Sequence, residues 1–555
     1  MSDTTEAAVR RIREDSPIVD AVCRQIAETL DATEADLAIE FASIFFSKAT
    51  QEFLHGRSIE ALTHLALGAF RFLQSSRPDH SDVQVFNPDV DTEGWYAPVT
   101  VIRTNLSERP FIVDTLREFL HSEELPIEAN IYPVLHVARD DRGTLVAVKP
   151  SREGTTRESL VHCEVPRIAD EETLERLRQE LTRRLDDVRA VTDDFKPMLQ
   201  AVEKVAAELG LYAERFADRR EELEEIRSFL RWLHDGGFVF LGYRSYEVDN
   251  LDGSPAIRVE PDSGLGILRN PESSSHATPR KVQDLPDWLS TLVLNGPPLV
   301  ISKTNAESTV HRRARMDYIG VRRLDADGHV RGEHRFIGLF TSKAFGEQAE
   351  HIPILREKLA QILDEAGIAE GTHDYKEINS IFNSMPKEEL FLTSAEEIGQ
   401  DVRAILTTYQ SDDVKVTLRD DPLRRGTSLM VILPKDRFSG DVRRQIEQAL
   451  RERFSAQVLN YHLALGSGDQ ARLHFYLGGR EGARPSGDVK AFEREVRELI
   501  RTWFDRLQQG LERIRPTDEA RRLARRYGPA FSDEYQASAD ADTAVADILE
   551  LEAMA

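Results

Sequence analysis

The sequence predicts an α+β fold in which several ferredoxin-like α/β sandwich modules are separated by helical segments. Strand patterns recur in three separate regions of a 555-residue chain, which is too long for one hydrophobic core. Two of these regions interleave a helix pattern with the strands, as in the ferredoxin-like motif. Between the regions, apolar residues recur at spacings of three and four, which is typical of amphipathic helices.

The composition restricts the classes of partner. Apolar residues make up 40% of the chain and the formal net charge is -25, so real cores lie under an acidic surface. Such a surface repels nucleic acids and anionic membranes unless a basic patch dominates locally. The two cysteines, Cys23 and Cys163, form neither a disulfide framework nor a metal-binding CxxC pair. No apolar run suggests a signal peptide or a membrane span, so we expect a cytoplasmic protein.

The first half of the chain predicts a helical segment, residues 1–85, followed by the first module, residues 86–168. In this module a strand begins near Val99, and the turn NLSER leads to a helix with Pro110 in its first turn. The apolar face of this helix would consist of Ile112, Val113, Leu116, Phe119 and Leu120. Asp141–Gly143 would reverse the chain between two further strands, and residues 159–165 would supply another.

The second half of the chain again alternates helical spacers with modules that contain strands. Residues 169–235 read as a helical spacer, 236–345 as an ACT-like or β-rich second module with a hairpin turn at Asp327–Gly328, and 346–410 as another spacer. Residues 411–480 form the clearest module: two strands, a helix with Ser439 as its N-cap, and a closing hairpin. Residues 481–555 predict a helical linker toward a further region.

A search for catalytic motifs identifies no catalytic residue and no metal site. HExxH, GxxxxGK[ST] and GxSxG are all missing from the sequence. GSGDQA (466–471) matches a dinucleotide pattern formally, but it lies between strands without a following helix, which indicates a hairpin loop. DADG (325–328) lacks the later ligands of a calcium loop and predicts a turn. His311, His329 and His334 could form a metal trio only if they converged, which scattered strand positions rarely allow.

A basic segment, TVHRRARMDYIGVRR (309–323), stands out in this acidic chain. From Lys303 to Arg335 there are eight Lys/Arg and five Asp/Glu. The candidate anion or interface patch comprises Lys303, His311, Arg312, Arg313, Arg315 and Tyr318. Arginine forks suit carboxylates and phosphates, and arginine is also common at interfaces. Pairing with acidic side chains, such as Asp317 and Glu333 within the chain or others on a partner, is favoured over a ligand pocket. Nucleic acid is disfavoured because Tyr318 is the only aromatic residue nearby.

A second candidate site is the loop between the first strand and the first helix of the first module. It consists of Asn105, Leu106, Ser107, Glu108, Arg109, Pro110 and Phe111. Free N–H groups at a helix N-terminus can hold a carboxylate, such as that of an amino acid. The alternative is an ordinary connection.

Four long stretches together resemble the amino-terminal region of the large bacterial NAD-specific glutamate dehydrogenases. They lie at residues 83–115, 229–248, 298–345 and 352–391, and their order and spacing match over roughly residues 20–550. The resemblance implies ACT-like modules, which are small βαββαβ sandwiches that bind amino acids and pair across interfaces in other enzymes. A catalytic part with essential lysines and an NAD-binding Rossmann domain would follow them. LSERPFIVDT departs from the family, which more often has acidic residues before the proline.

The sequence lacks the catalytic signature that the family implies. Its only Gly-Gly pairs, Gly236-Gly237 and Gly478-Gly479, do not follow a lysine. The expected function is therefore the regulatory and assembly portion of an NAD-dependent glutamate dehydrogenase, without a cofactor of its own and with NAD on the catalytic portion. Expected partners are the catalytic region or subunit, further copies of the chain and an amino-acid effector. The alternatives are a stand-alone ACT-type amino-acid sensor, or an independent enzyme with a site around His311, Arg312 and Tyr318.

Overall fold

The computed structural model describes residues 13–77, 79–149, 155–408, 413–465, 469–479, 485 and 487–554. These residues form two compact units. The first unit comprises the described residues up to Val205, together with Val239–Pro298 and Thr304–Leu339. The second comprises Ala206–Phe238, Leu299–Lys303 and the described residues from Phe340 onward. Part of the GSGDQA stretch, residues 466–468, lies outside the described residues.

Four helices open the first unit and share one core. They are α1 (Pro17–Thr29), α2 (Ala32–Phe46), α3 (Gln51–His55) and α4 (Ile59–Ser75). The side chains of Asp31, Thr50 and Ser58 accept backbone N–H groups at the starts of α2, α3 and α4, as N-caps do. The Phe41 ring stacks on Phe45 at 5.4 Å within this core. The predicted helical segment to residue 85 includes the start of a strand, because the apolar helix pattern ends at Ser75.

The first antiparallel sheet follows, with three helices, of which the last two pack against each other. Its elements are β1 (Asp82–Phe86), α5 (Val90–Glu93), β2 (Val99–Ser107), α6 (Ile112–Ser122), β3 (Ala129–Ile131), β4 (Val134–Arg139), β5 (Leu145–Lys149), β6 (Thr156–Pro166) and α7 (Glu171–Asp193). The strand order is β1-β2-β6-β4-β5, and β3 pairs with β6. In the ferredoxin-like motif, a last strand that follows the second helix pairs with the first strand. Here the first strand of the motif is β2 and the second helix is α7. Strand β1, which precedes β2 in sequence, occupies the position of that last strand.

The predicted turn NLSER is wrong in its first three residues. Asn105, Leu106 and Ser107 continue strand β2 and pair with β6, where Leu106 lies opposite Ser159. The helix begins at Ile112, and Phe111 is its N-cap with φ 75°. Pro110 therefore precedes the helix and does not lie in its first turn. Pairing with β6 prolongs the strand beyond the point at which the local pattern indicates a turn.

The middle region is β-rich. Helices α8 (Phe195–Arg215) and α9 (Arg220–Trp232) lead to β7 (Phe238–Leu251), β8 (Ser254–Val259), β9 (Leu265–Gly266), β10 (Arg280–Lys281), α10 (Asp287–Asn295), β11 (Leu299–Glu307), β12 (Arg315–Leu324) and β13 (Val330–Phe340). The strand order is β10-β8-β7-β13-β12-β11, and β9 pairs with β7. The predicted hairpin at Asp327–Gly328 is confirmed, since β12 and β13 pair antiparallel around it. Only α10 interrupts the strands within residues 238–340, all of them described, so this sheet does not repeat the ferredoxin-like plan.

Five helices and a four-stranded sheet follow in the second unit. The helices are α11 (Ser342–Gly346), α12 (Leu355–Glu365), α13 (His373–Ser384), α14 (Lys387–Leu392) and α15 (Ala395–Thr408). The sheet region contains β14 (Lys415–Asp420), β15 (Thr427–Pro434), α16 (Gly440–Arg453), β16 (Ala456–Leu465), β17 (Gln470–Gly479) and α17 (Val489–Leu499). The order β14-β15-β17-β16 repeats the rearranged plan of the first sheet. The predicted N-cap is confirmed, because the Ser439 side chain accepts the Val442 N–H.

The core of this third sheet extends beyond the predicted module boundary at residue 480. Phe492 and Val496 of α17 are fully buried in the same apolar cluster as Leu473 and Phe475 of β17. Four further helices, α18 (Trp503–Glu512), α19 (Thr517–Tyr527), α20 (Asp533–Ser538) and α21 (Ala541–Met554), follow α17. A separate small core, which includes Leu507 and Leu523, lies among them. Helix α17 thus belongs to the third module, whereas the linker prediction suits only the helices after it.

Candidate functional site

The predicted ligand-binding loop, residues 105–111, uses its polar side chains for contacts within the first module. Asn105 is fully buried and donates to the Glu158 carboxylate at 2.8 Å. Glu108 accepts a hydrogen bond from Tyr132 Oη at 3.0 Å. Arg109 donates to Ser107 Oγ at 2.7 Å and pairs with Asp193 at 2.9 Å. These contacts of Asn105, Glu108 and Arg109 therefore stabilise the end of strand β2.

The residues of the predicted basic patch lie in different parts of the structure. Lys303 belongs to the second unit, where its Nζ lies 2.9 Å from the Glu388 carboxylate. In the first unit, Arg313 pairs with Glu307 at 2.5 Å at the surface. Arg312 lies in the preceding loop, and Arg315 is the first residue of β12. Lys303 and Arg313 thus both have acidic partners within the chain.

The loop at residues 105–111 and the basic segment at residues 309–323 contact each other in the first unit, although they are far apart in sequence. The Phe111 and His311 rings lie 5.0 Å apart. The His311 backbone N–H donates to Thr115 Oγ1 at 3.0 Å, and the His311 ring lies 3.4 Å from the Asp114 carboxylate. On helix α7, Asp187 accepts a hydrogen bond from Thr309 Oγ1 at 2.7 Å. We call this contact the loop junction; it attaches residues 309–311 to helices α6 and α7.

Backbone strain concentrates at the loop junction. Phe111 and His311 adopt φ values of 75° and 70°, in the left-handed region that non-glycine residues rarely occupy. Such conformations cost about 1–3 kcal/mol each and persist only where surrounding contacts impose them. The ring contact and the Thr115 hydrogen bond are contacts of this kind.

A cavity of about 740 Å³ lies at the other end of strand β2. Its lining comprises Thr50, Glu52, Phe53, Gly56, Arg57, Ala61, Trp95, Tyr96, Ala97, Pro98, Val99, Ile127, Glu128, Ala129, Asn130, Ile131 and Glu164. Arg57 forms an ion pair with the buried Glu164 carboxylate and lies 3.8 Å from the centre of the Phe53 ring. The combination of a guanidinium, carboxylates and aromatic rings could hold a small zwitterion such as an amino acid.

The middle sheet contains a buried charged cluster, which we call the Glu333 cluster, around one of the acidic residues expected to pair with the basic segment. Arg322 Nη1 donates to Glu333 at 2.6 Å, and Arg335 Nη2 donates to the same carboxylate at 3.1 Å. Tyr318, predicted as part of the basic patch, donates its hydroxyl to Glu333. Arg335 also lies 4.0 Å from the centre of the Tyr246 ring. In β13 the charged residues Arg331, Glu333 and Arg335 alternate with uncharged ones, which signals a shared face but not its burial.

Burial and charge shift the pKa values in the Glu333 cluster. Burial favours the protonated form of Glu333, but the guanidinium groups of Arg322 and Arg335 outweigh it and hold the pKa of the carboxyl below its usual range. Burial raises the pKa of Tyr318 to about 12. The tyrosine therefore remains a neutral hydrogen-bond donor at physiological pH, and the cluster is structural.

A second buried cluster, which the sequence did not reveal, lies on the third sheet. Arg419 of β14 donates to Glu389 of α14 at 2.9 Å and lies 2.8 Å from the Asp401 carboxylate of α15. His474 of β17 lies 3.0 Å from the same Glu389 carboxylate. All four side chains are no more than 10% exposed. These ion pairs attach the two helices to the sheet within the second unit.

The buried imidazole of His162 predicts an acid-sensitive first unit. Arg103 donates to His162 Nδ1 at 3.3 Å, so the neutral ring carries its proton on Nε2, which lies 3.3 Å from Glu164. Burial lowers the pKa of His162 from 6.5 to about 4. Between these values the unfolded chain binds more protons, so the free energy of unfolding should fall as the pH is lowered, by about 1.4 kcal/mol per pH unit. Denaturant unfolding at a series of pH values measures this slope.

The control for this prediction is a substitution that cannot take up a proton. His162→Gln should flatten the slope between pH 6.5 and pH 4, whereas His329→Gln, at a side chain that is 79% exposed, should leave it unchanged. A His162→Gln slope equal to that of the wild type would contradict the assignment.

The structure separates the three histidines whose convergence the sequence disfavours. His334 Nδ1 lies 2.9 Å from the Tyr243 hydroxyl, whereas His311 lies at the loop junction. Within the part of the chain that the structure describes, His329 instead lies near Asp325 and Asp327 in the turn of the β12–β13 hairpin. The same part contains no helix that is long and apolar enough to span a membrane.

Four domain families match the chain in order. The models for the ACT1 and ACT2 domains of glutamate dehydrogenase match residues 41–181 and 415–504, which contain the first and third sheets. The models for its helical motifs 1 and 2 match residues 352–411 and 512–554. In these four segments the chain is similar to the ACT and helical-motif domains of glutamate dehydrogenase. The predicted ACT-type fold class is confirmed.

Relatives named NAD-specific glutamate dehydrogenase match most of the chain. The Halomonas elongata protein is 31% identical over 527 residues, 94% of this chain and 32% of the relative. The Pseudomonas aeruginosa protein is 31% identical over 470 residues, 84% of this chain and 29% of the relative. The Mycobacterium tuberculosis protein is 28% identical over 504 residues, 88% of this chain and 29% of the relative. The chain therefore spans about a third of the length of the curated relatives that it matches.

Proposed function

We propose that this chain is the regulatory and assembly portion of an NAD-dependent glutamate dehydrogenase, which converts glutamate to 2-oxoglutarate and ammonia. The observation that carries the proposal is the succession of ACT and helical-motif domains in a sequence without a Lys-Gly-Gly signature or a dinucleotide fingerprint. On this proposal the catalytic lysines and the NAD site belong to a catalytic region or subunit, and the chain does not oxidise glutamate by itself. We also propose the cytoplasm as its compartment, because both cysteines are buried free thiols.

The proposal includes self-assembly and an amino-acid effector. The Arg57–Glu164 cavity supports the effector, because Arg57 suits a carboxylate and Glu128 suits an ammonium group. The loop junction supports a response, because its strained residue Phe111 lies on the module that contains the cavity and its other strained residue, His311, packs against that module. A stand-alone amino-acid sensor would use the same cavity without a catalytic partner.

The test combines this chain with the catalytic portion of its own dehydrogenase. We expect the two to coelute in size-exclusion chromatography, and NADH production from glutamate to change by severalfold when the chain is added. The chain alone should produce no NADH. Two separate elution peaks, together with unchanged activity of the catalytic portion, would refute the regulatory proposal and favour the stand-alone sensor.

The effector is tested with the same sample and a panel of free amino acids. A ligand that binds the folded state raises its stability by RT ln(1 + [L]/Kd), so an effector should raise the melting temperature. Glu128→Gln, at an exposed lining position, should weaken this response and preserve the fold. Glu171→Gln, on an exposed residue of α7 outside the lining, is the matched control. A panel without any stabilising amino acid would remove the effector from the proposal.

A further inference from the structure

The third sheet carries two histidines directly opposite each other on neighbouring strands. His462 of β16 pairs with His474 of β17 in the antiparallel register. Directly opposed residues project from the same face of a sheet, with Cβ atoms about 4.5–5.5 Å apart. The centres of the two rings lie 6.3 Å apart. His474 is 1% exposed, whereas His462 is accessible to solvent. The pair therefore joins an interior imidazole to one that solvent can reach.

Glu389 of helix α14 determines which nitrogen of the buried ring carries a proton. Burial would raise the pKa of Glu389, but His474 and Arg419 hold it below its usual range, so the carboxylate is ionised. An ionised carboxylate only accepts hydrogen bonds, so His474 Nδ1, which lies 3.0 Å away, carries a proton. In the neutral ring, Nε2 is then an acceptor whose lone pair is available to a ligand.

The Nε2 atom of His474 is buried and has no hydrogen-bond partner among the described residues. Buried polar atoms usually have a partner, which can be a protein group, a water molecule or an ion. Glu389 also accepts a hydrogen bond from Arg419 of β14, so its carboxylate lies on the β14 side of His474. Because Nδ1 and Nε2 point away from different sides of the ring, Nε2 is directed toward β16 and His462.

The surroundings of His462 suit a cation. Partial burial and the neighbouring His474 lower the pKa of His462, which keeps this imidazole neutral at physiological pH. The carboxylates of Glu389 and Glu388 act on it in the opposite direction. A neutral imidazole is the form that binds metal ions, and these carboxylates add negative charge nearby. Both rings of the pair can therefore offer a nitrogen lone pair to a cation.

We propose that His462 and His474 bind a divalent transition-metal ion such as Zn²⁺, and that Glu389 orients His474 for this role. Metal-bound histidines generally donate their other ring N–H to a carboxylate or carbonyl group, as His474 does to Glu389. Imidazole ligands suit zinc, copper and nickel, whereas Mg²⁺ and Ca²⁺ prefer oxygen. His462 approaches the ion by a change of rotamer, and water completes the coordination. The ion would connect the edge strand β16 with helix α14. This site goes beyond the proposed function and does not depend on it.

Calorimetric titration of the chelator-treated chain with Zn²⁺ tests the site. We expect saturable binding that excess Mg²⁺ does not prevent and that His462→Ala weakens by at least about tenfold. His462 is accessible to solvent, so this variant should keep the fold. The matched controls are His329→Ala and His373→Ala, because these histidines lie beside exposed carboxylates that could also attract an ion. The controls should bind Zn²⁺ like the wild type.

Two outcomes of the titration would overturn the proposal. Wild-type affinity in His462→Ala, or a loss confined to the two controls, would indicate an adventitious ion only. A wild-type chain that takes up no Zn²⁺ would indicate that His474 Nε2 has a water molecule as its partner.

A Cu²⁺ probe identifies the ligands by electron paramagnetic resonance. The spectrum should show coupling to both imidazole nitrogens in the wild type and to a single one in His462→Ala. Glu389→Gln keeps an acceptor for His474 but removes its charge, so it should retain both couplings and weaken Zn²⁺ binding by about 10- to 100-fold. A wild-type spectrum without imidazole coupling would overturn the site. Such a failure, together with normal binding to the catalytic portion, would leave the proposed function standing.

Discussion

Glu333→Ala should lower the free energy of unfolding of the first unit by about 3–5 kcal/mol, because it removes the carboxylate that the buried Arg322 and the partly buried Arg335 share. Arg322 is 5% exposed and Glu333 is 4% exposed, so water cannot replace the lost partner. The Tyr318 hydroxyl would lose its acceptor at the same time. Urea denaturation, followed by the fluorescence of the unit's aromatic residues, measures the loss.

Glu307→Ala is the matched control for this prediction. Glu307 also pairs with an arginine, Arg313, but both side chains are 50% exposed. Exposed pairs contribute about 0–1 kcal/mol, so this variant should unfold almost like the wild type. Equal effects of Glu307→Ala and Glu333→Ala would show that burial of the Glu333 cluster does not determine its contribution.

Phe492→Ala should lower the free energy of unfolding of the third module by about 3–5 kcal/mol, the usual cost of removing a buried phenylalanine ring. Phe492 is fully buried, and its ring lies 5.5 Å from that of Phe454 in an edge-on arrangement. The variant also tests the module boundary, because Phe492 lies beyond the predicted end at residue 480. Chemical denaturation, monitored by circular dichroism, measures the change.

Phe195→Ala provides the comparison, because Phe195 is 46% exposed. It should change the free energy of unfolding by less than about 1 kcal/mol. A Phe492→Ala variant as stable as Phe195→Ala would mean that α17 does not contribute to the core of the third module and that the predicted boundary is adequate.

The contact between the two predicted site segments is a feature that the sequence did not predict. The basic segment and the Asn105–Phe111 loop were both recognisable, but as unrelated features. In the structure His311 contacts Thr115 across 196 positions of sequence, and Phe111 meets the His311 ring. Charge and turn patterns describe residues close in sequence, so they do not show which loop packs on which helix. The cavity beside Arg57 escaped prediction for the same reason, since its lining comes from four separate stretches.

Local chemistry alone determined several features of this protein. The alternation of apolar residues identified strands β14 to β17, and Ser439 and Asp327–Gly328 marked a helix start and a hairpin. These signals depend on hydrogen bonds and periodicity within a few residues. Tertiary structure alone decided that α17 completes the third core and that Tyr318 is buried with Glu333. These outcomes depend on packing between distant segments, where a buried surface or ion pair forms only after the whole module has assembled.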